Sequence, residues 1–198
     1  MDWPLDRRIL AGAPRIIGID EVGRGSLAGP VVVSGVAWES VPGDLVVRDS
    51  KRMTPRARTE ASEAIRRRAA AWAVVEVWPW SIDGMGIVPA TRLAMRAVAR
   101  RLWTPGSVVV VDAMELDLEG LVVVSEVRAD GRYFSVATAS VVAKVHRDAL
   151  LRELAGRYPL WGWERNAGYG TREHRMALQE HGPGFLHRRS FGWSPVLP

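Results

Sequence analysis

Val108 to Val111 form an unbroken run of valines that stops on Asp112. A run of this length with no polar alternation is what a central strand buried on both faces looks like, so the sheet that holds it must have helices packed on it. The flanking pattern supplies them. Residues 15–23 (RIIGIDEVG) and 29–38 (GPVVVSGVAW) read as two strands joined by a glycine-rich turn, which suggests a hairpin. Pro55 suits the first turn of a helix running to about Trp72, and residues 73–80 read as a third strand, followed by the turn SIDGMG. Residues 88–103 repeat their apolar positions at helical spacing until Pro105 and Gly106 end the helix. Residues 121–129 (LVVVSEVRA) read as a strand terminating near Asp130, and Ser135 to Arg157 as a long amphipathic helix. A tail rich in Gly, Trp and Pro contains one more helix, Thr171 to His181. Antiparallel strands first and βαβ character afterwards make an α/β chain with a mixed sheet flanked by helices. Residues 1–160 are expected to form the main domain, and residues 161–198 a small, mostly helical C-terminal subdomain that does not fold alone.

Composition removes several chemistries. The 198 residues include no cysteine, so disulfides, thiolate nucleophiles and cysteine–zinc sites are excluded. The four histidines, His146, His174, His181 and His187, lack ligand spacing and read as core or surface residues. The opening MDWPLDRRIL has no apolar signal core, and no window reaches the roughly 20 apolar residues of a membrane span. The expectation is a soluble, cytoplasmic monomer. Its net charge of +5 and its arginine clusters at 66–68, 100–101 and 188–189 favour polyanionic partners. Arg66 to Arg68 are read as a solubilising helix face; Arg188 and Arg189, between His187 and Ser190, are read as phosphate contacts.

Three acids share one context. Asp20, Asp112 and Asp130 each close an apolar strand, and Glu21 adjoins the first. Strands about 4.8 Å apart allow carboxylates at neighbouring ends to converge. Four converging negative charges would repel unless cations lay among them, and oxygen-only ligands suit Mg²⁺ or Mn²⁺. Two such ions ~3.5–4 Å apart serve phosphodiester hydrolysis by clamping the attacking and leaving oxygens. An acidic cluster with a basic exterior thus reads as a nuclease. Taken singly, acids at strand ends are turn formers and caps, and Asp83, Asp117 and Glu119 are read that way. Asp20 and Glu21 are adjacent, and neighbours on an ideal strand face opposite sides, so joint action requires the strand to end or bulge there.

Six motifs in order carry a resemblance over most of the chain, from about Arg15 to Phe191. They are GIDEVGRGSLAGP (18–30), DSK (49–51), VVVDA (109–113), ATASVVAKVHRD (137–148), AGYGTREH (167–174) and HRRSF (187–191). In these the chain resembles ribonuclease HII, the type 2 ribonuclease H family. The resemblance implies an RNase H-like fold and a four-carboxylate site on Asp20, Glu21, Asp112 and Asp130 holding two Mg²⁺ or Mn²⁺ ions, with Asp20 bridging both. It implies hydrolysis of the RNA strand of RNA–DNA hybrids and nicking 5′ of single ribonucleotides in duplex DNA, leaving 3′-hydroxyl and 5′-phosphate ends. It also implies that the backbone of Gly23, Arg24 and Gly25 surrounds the 2′-hydroxyl, the one group that separates RNA from DNA, while Tyr169 stacks on the neighbouring deoxyribose. Arg24, Ser50, Lys51, Arg188 and Arg189 would hold phosphates, and Lys144 is a structural residue or substrate contact near the site. Asp148 is read as a helix ion pair. Other nucleases of the same broad fold, such as junction resolvases and integrases, share clustered acids without the GRG and GYGT segments; a non-catalytic hybrid-binding module would not need all four carboxylates.

Overall fold

A computed structural model describes residues 3–45, 47 and 53–192; Ser50 and Lys51 lie outside the described residues. Five strands form one mixed sheet in the order β3-β2-β1-β4-β5: β1 Ile16–Val22, β2 Val31–Trp38, β3 Ala71–Val77, β4 Val108–Asp112 and β5 Val122–Glu126. β1, β2 and β3 pair antiparallel as an extended hairpin, while β1, β4 and β5 run parallel. The helices are α1 Pro4–Leu10, α2 Pro55–Arg68, α3 Pro79–Met85, α4 Ile87–Leu102, α5 Phe134–Arg157, α6 Trp163–Asn166 and α7 Arg172–His181.

Alternation along the central strands splits the interior in two. Ile17, Ile19, Val109 and Val111 point to the face covered by α3 and α4, whereas Ile16 and Val110 point to the face covered by α1, α2 and α5. Each fully buried valine or isoleucine contributes roughly 1.5–3 kcal/mol, so the uniform valine run of β4 stabilises both layers at once. Close layering depends on Gly18. A Cβ there would lie 2.0 Å from the carbonyl carbon of Ser135, so only glycine lets the first turn of α5 lie against β1. That turn has no cap of its own. Asp6 of α1, fully buried, accepts hydrogen bonds from the amides of Phe134 (2.7 Å) and Ser135 (2.9 Å) and so caps α5.

Three expectations need correction. The helix expected to reach Trp72 stops at Arg68, because Ala71 and Trp72 pair with Ala37 and Val36 in the sheet. The strand expected to reach Trp80 stops at Val77: Pro79 has no amide for a ladder and instead takes the first position of α3, which replaces the expected turn. The strand before Asp130 likewise ends early, at Glu126. α1 is a helix for which the sequence reading made no provision.

The tail closes on a third cluster. Leu178, Trp161, Trp163 and Leu186 pack against Leu151 and Ala155 of α5 and against Leu27 and Ala28 of the β1–β2 turn. Among the described residues no helix is long and apolar enough to cross a membrane.

Candidate active site

The β1–β4 ladder pairs Ile16 with Val108 through Ile19 with Val111 and goes no further. β1 continues, paired with β2 alone: Asp20 opposite Ser34, Glu21 opposite Val33, Val22 opposite Val32. The break expected at the acidic pair is therefore absent; the unbroken antiparallel ladder keeps both residues extended. What opens is the other flank, where β4 ends on Asp112, so carboxylates from either face of β1 reach the same gap. Asp130 does not close β5. It sits on a 3₁₀ turn, Ala129–Gly131, four residues beyond the strand, after Arg128 makes a left-handed corner (φ 59°). The Ala129 amide donates to Asp112 Oδ1 at 3.2 Å, tying that turn to the end of β4. Ala113, just after Asp112, also takes a positive φ of 48°, a conformation that favours glycine.

A cavity of about 390 Å³ results, lined by all four acids, by Ser140 and Lys144 of α5, and by Tyr169 of the tail. Burial pushes the Asp20 carboxyl up to about 7, with the charges of Glu21 and Asp112 adding to the shift; hydrogen bonds from Ser140 and from the Glu21 amide (2.8 Å) act against it. Glu21 is also raised, first by burial, while Arg24 at 3.3 Å draws it down. Glu21 Oε2 is buried with no hydrogen-bond partner. Among the described residues no three acidic or histidine side chains stand close enough together to hold an ion as they are. The donor set nevertheless fits a hard divalent cation such as Mg²⁺ or Mn²⁺: it is all oxygen, mutually repelling, and includes an orphaned carboxylate oxygen.

The turn after β1 is held from behind. Gly23 has φ +87°, and a Cβ on it would meet Arg147 Nε at 2.2 Å. Arg147, fully buried in α5, donates to Pro30 O (3.0 Å), Ala28 O (3.0 Å), Ser26 Oγ (2.7 Å) and Ala167 O (2.8 Å), and its guanidinium lies 5.5 Å from the Tyr169 ring centre. The amides of Leu27 and Ala28 donate to Gly168 O, joining this turn to the tail loop that carries Tyr169. Sequence reasoning missed Arg147, which sits inside a quoted motif yet looks like any helical arginine.

Arg188 requires a correction. It is fully buried and donates to Gly29 O (3.1 and 3.0 Å) and Arg24 O (2.8 Å), so its guanidinium is consumed by the turn and does not face a phosphate. Arg189 is exposed; its amide and that of Ser190 donate to Asp83 of α3, which caps this distant segment and not its own turn. Lys144 pairs with Asp148 at 2.8 Å, the helix ion pair expected of Asp148.

Two of the histidines form a buried chain in the tail. The Gly184 amide donates to His187 Nδ1 (2.9 Å), which leaves His187 Nε2 to donate to His174 Nε2 (3.0 Å), and His174 Nδ1 to donate to the Tyr169 carbonyl (2.9 Å). The chain as a whole requires both rings neutral, because His187 Nδ1 and His174 Nε2 each accept a hydrogen bond. Burial accordingly lowers His174, and lowers His187 to about 4. A folded pKa below the unfolded value of 6.5 means that the stabilisation is complete above pH 6.5 and is lost as pH falls towards 4. The stability difference between the wild type and a His187→Asn variant should therefore narrow by a few kcal/mol between pH 7.5 and 4.5, measured by urea denaturation. A pH-independent difference would mean that the pair is not held neutral.

The sequence model of the ribonuclease HII family matches residues 17–193. A ribonuclease HII of Chlorobium luteolum is 45% identical over 184 residues, covering 89% of this chain and 88% of the relative. Among solved structures, the ribonuclease HII of Archaeoglobus fulgidus in its complex with PCNA superposes with a TM-score of 0.74 at 29% identity, over 88% of this chain and 92% of that one. The ribonuclease H2 of Pyrococcus horikoshii, at 24% identity, shares the fold with a TM-score of 0.77 over 89% of this chain and 93% of its own.

Proposed function

This chain belongs to the ribonuclease HII family of type 2 ribonuclease H enzymes, and from that premise we propose that it nicks duplex DNA on the 5′ side of a single embedded ribonucleotide and cuts the RNA strand of RNA–DNA hybrids. The observation that carries the proposal is the one cavity in which Asp20, Glu21, Asp112 and Asp130 face Tyr169, with the Gly23 turn beginning two residues after Glu21.

Asp20, Glu21, Asp112 and Asp130 would hold divalent metal, on which ribonucleases H depend. When bound, two such ions supply an activated water and charge stabilisation at the leaving 3′-oxygen. The chain's own groups do the rest. Ser140 hydrogen-bonds the Asp20 carboxylate and orients it. Lys144 brings a cation to the cavity wall, where a scissile phosphate would add negative charge. The Gly23–Gly25 backbone, free of side chains at both ends, is the surface against which a 2′-hydroxyl can be read. Tyr169, its carbonyl held by His174, offers a ring for the next sugar. Residues 161–198 would then be a substrate-contacting subdomain, and Arg189 and Lys51 phosphate contacts.

With Mg²⁺ or Mn²⁺ and a duplex containing one ribonucleotide, gel analysis should show a nick immediately 5′ of it, ending in 3′-hydroxyl and 5′-phosphate. Cleavage of a hybrid without that nick would remove the junction-reading role of Gly23 to Gly25 and Tyr169. Cleavage of neither substrate would remove the site assignment.

A further inference from the structure

We infer that a second groove, sharing Lys144 with the wall of the catalytic cavity, takes the phosphate backbone of the duplex arm beyond the scissile position; the inference rests on the nucleic-acid reading above. The groove has a volume of about 560 Å³ and lies where the first turn of α2, the middle of α5 and α6 meet. Its walls carry five cationic side chains, Arg56, Arg58, Lys144, Arg152 and Arg165, against two acids, Asp148 and Glu164. Lys144 also lines the carboxylate cavity, so the two spaces share a wall.

Both acids are already engaged, Asp148 by Lys144 at 2.8 Å and Glu164 by Arg165. The arginines have local partners too: Arg56 pairs with Glu60 at 2.8 Å, Arg58 donates to Met53 O, Arg152 to Asp148 O, and Arg165 pairs with Glu173. Arg58 and Lys144 make half-buried contacts, but those of Arg56, Arg152 and Arg165 are exposed and worth about 0.2–1 kcal/mol each, which a phosphate can replace at little cost. The cations lining the groove outnumber its lining acids by three, and still outnumber the acids when Glu60 and Glu173 are counted; a concave wall of that sign, sharing Lys144 with the catalytic cavity, matches a polyanionic strand.

The arginine clusters visible in the sequence do not compete for this role. Arg66, Arg67 and Arg68 occupy the last turn of α2, the opposite end of that helix from the turn that lines the groove, and Arg68 faces Trp38 and Glu39 instead. Arg100 and Arg101 are on α4, across the sheet from α2 and α5.

The test uses the full-length protein carrying Asp20→Asn, which prevents cleavage, and an all-DNA duplex with Mg²⁺, titrated at several salt concentrations. An added Arg56→Gln/Arg152→Gln pair should reduce the slope of log Kd against log salt by about two and raise Kd at 0.1 M salt about tenfold, whereas Arg100→Gln/Arg101→Gln, removing the same charge, leaves both unchanged. Equal effects of the two pairs would reduce the result to net charge and overturn the groove; so would an unchanged slope in the first pair. Single Arg56→Gln and Arg152→Gln variants, each expected to lose about one unit of slope, report the same quantity should the pair be unstable. Because no ribonucleotide is present, the slope does not depend on cleavage specificity: normal nicking by the wild type with an unchanged slope in the variants overturns the groove alone, and absent nicking with a changed slope overturns the cleavage reading alone.

Discussion

An Asp20→Asn variant should lose about 10³-fold in cleavage rate and yet, in metal-free buffer at pH 8, melt several degrees above the wild type. The two effects come from one cause. Asp20 is 8% exposed in β1, and its burial together with the charges of Glu21 and Asp112 raises its carboxyl to about 7. A folded pKa above the unfolded value of 3.8 means that its contribution to stability is complete below pH 3.8 and is lost as pH rises through 7; at pH 8 the ionised side chain weakens the fold by a few kcal/mol. Asparagine keeps an Oδ1 to accept the Glu21 amide but carries no charge, so it relieves the repulsion and removes the proposed metal ligand together. Calorimetry at pH 8 with and without Mg²⁺ checks both halves. The wild type should gain stability with the ion and the variant much less. Unchanged turnover would remove Asp20 from the site, and a lower melting temperature in metal-free buffer would show that the carboxylates do not strain the fold.

Arg147→Met should destabilise the protein by about 3–5 kcal/mol and abolish cleavage with it. Methionine matches the length of the stem but offers no donor to Pro30 O, Ala28 O, Ser26 Oγ and Ala167 O, which are left without the guanidinium that reaches all four. Those acceptors belong to the turn that begins at Gly23 and to the loop that presents Tyr169, so the loss falls on the parts proposed to read the substrate. Arg147→Lys should recover little, because one ammonium cannot span acceptors on both sides of a planar fork. Urea denaturation measures the stability and the nicking assay the activity. A loss below 1 kcal/mol with normal nicking would show that the turn and the tail hold each other without this arginine.

Much of the molecule was legible because its signals are local. The valines of β4 identify an interior strand, beside the central β1, the helical spacing of residues 88–103 matches α4, and Ser135 to Arg157 agrees with α5 to within one residue. The acids at 20, 21, 112 and 130 could be nominated from their positions after apolar runs, and the six motifs in order identified the family. Boundaries failed where partners in the sheet decided them. Nothing within residues 69–72 announces that Ala71 and Trp72 will pair with Ala37 and Val36 rather than extend α2.

The site's architecture was least legible where it depends on groups far apart in the chain. Asp20 and Glu21 share a cavity because β4 ends at Asp112, not because their own strand breaks. Asp6 caps a helix 128 residues away. Arg188, read as a phosphate contact, turns inward to carbonyls at Arg24 and Gly29, while Arg56 and Arg152, unremarkable in sequence, line one groove. Periodicity and motif order are properties of neighbouring residues, so the sequence by itself determined the order of the strands and longer helices and the family, and put forward the four acids as candidates. Whether an arginine faces water or a buried carbonyl, and which carboxylates repel, depends on which polar groups of distant segments are left unpaired when the layers close, and only the tertiary structure decided that.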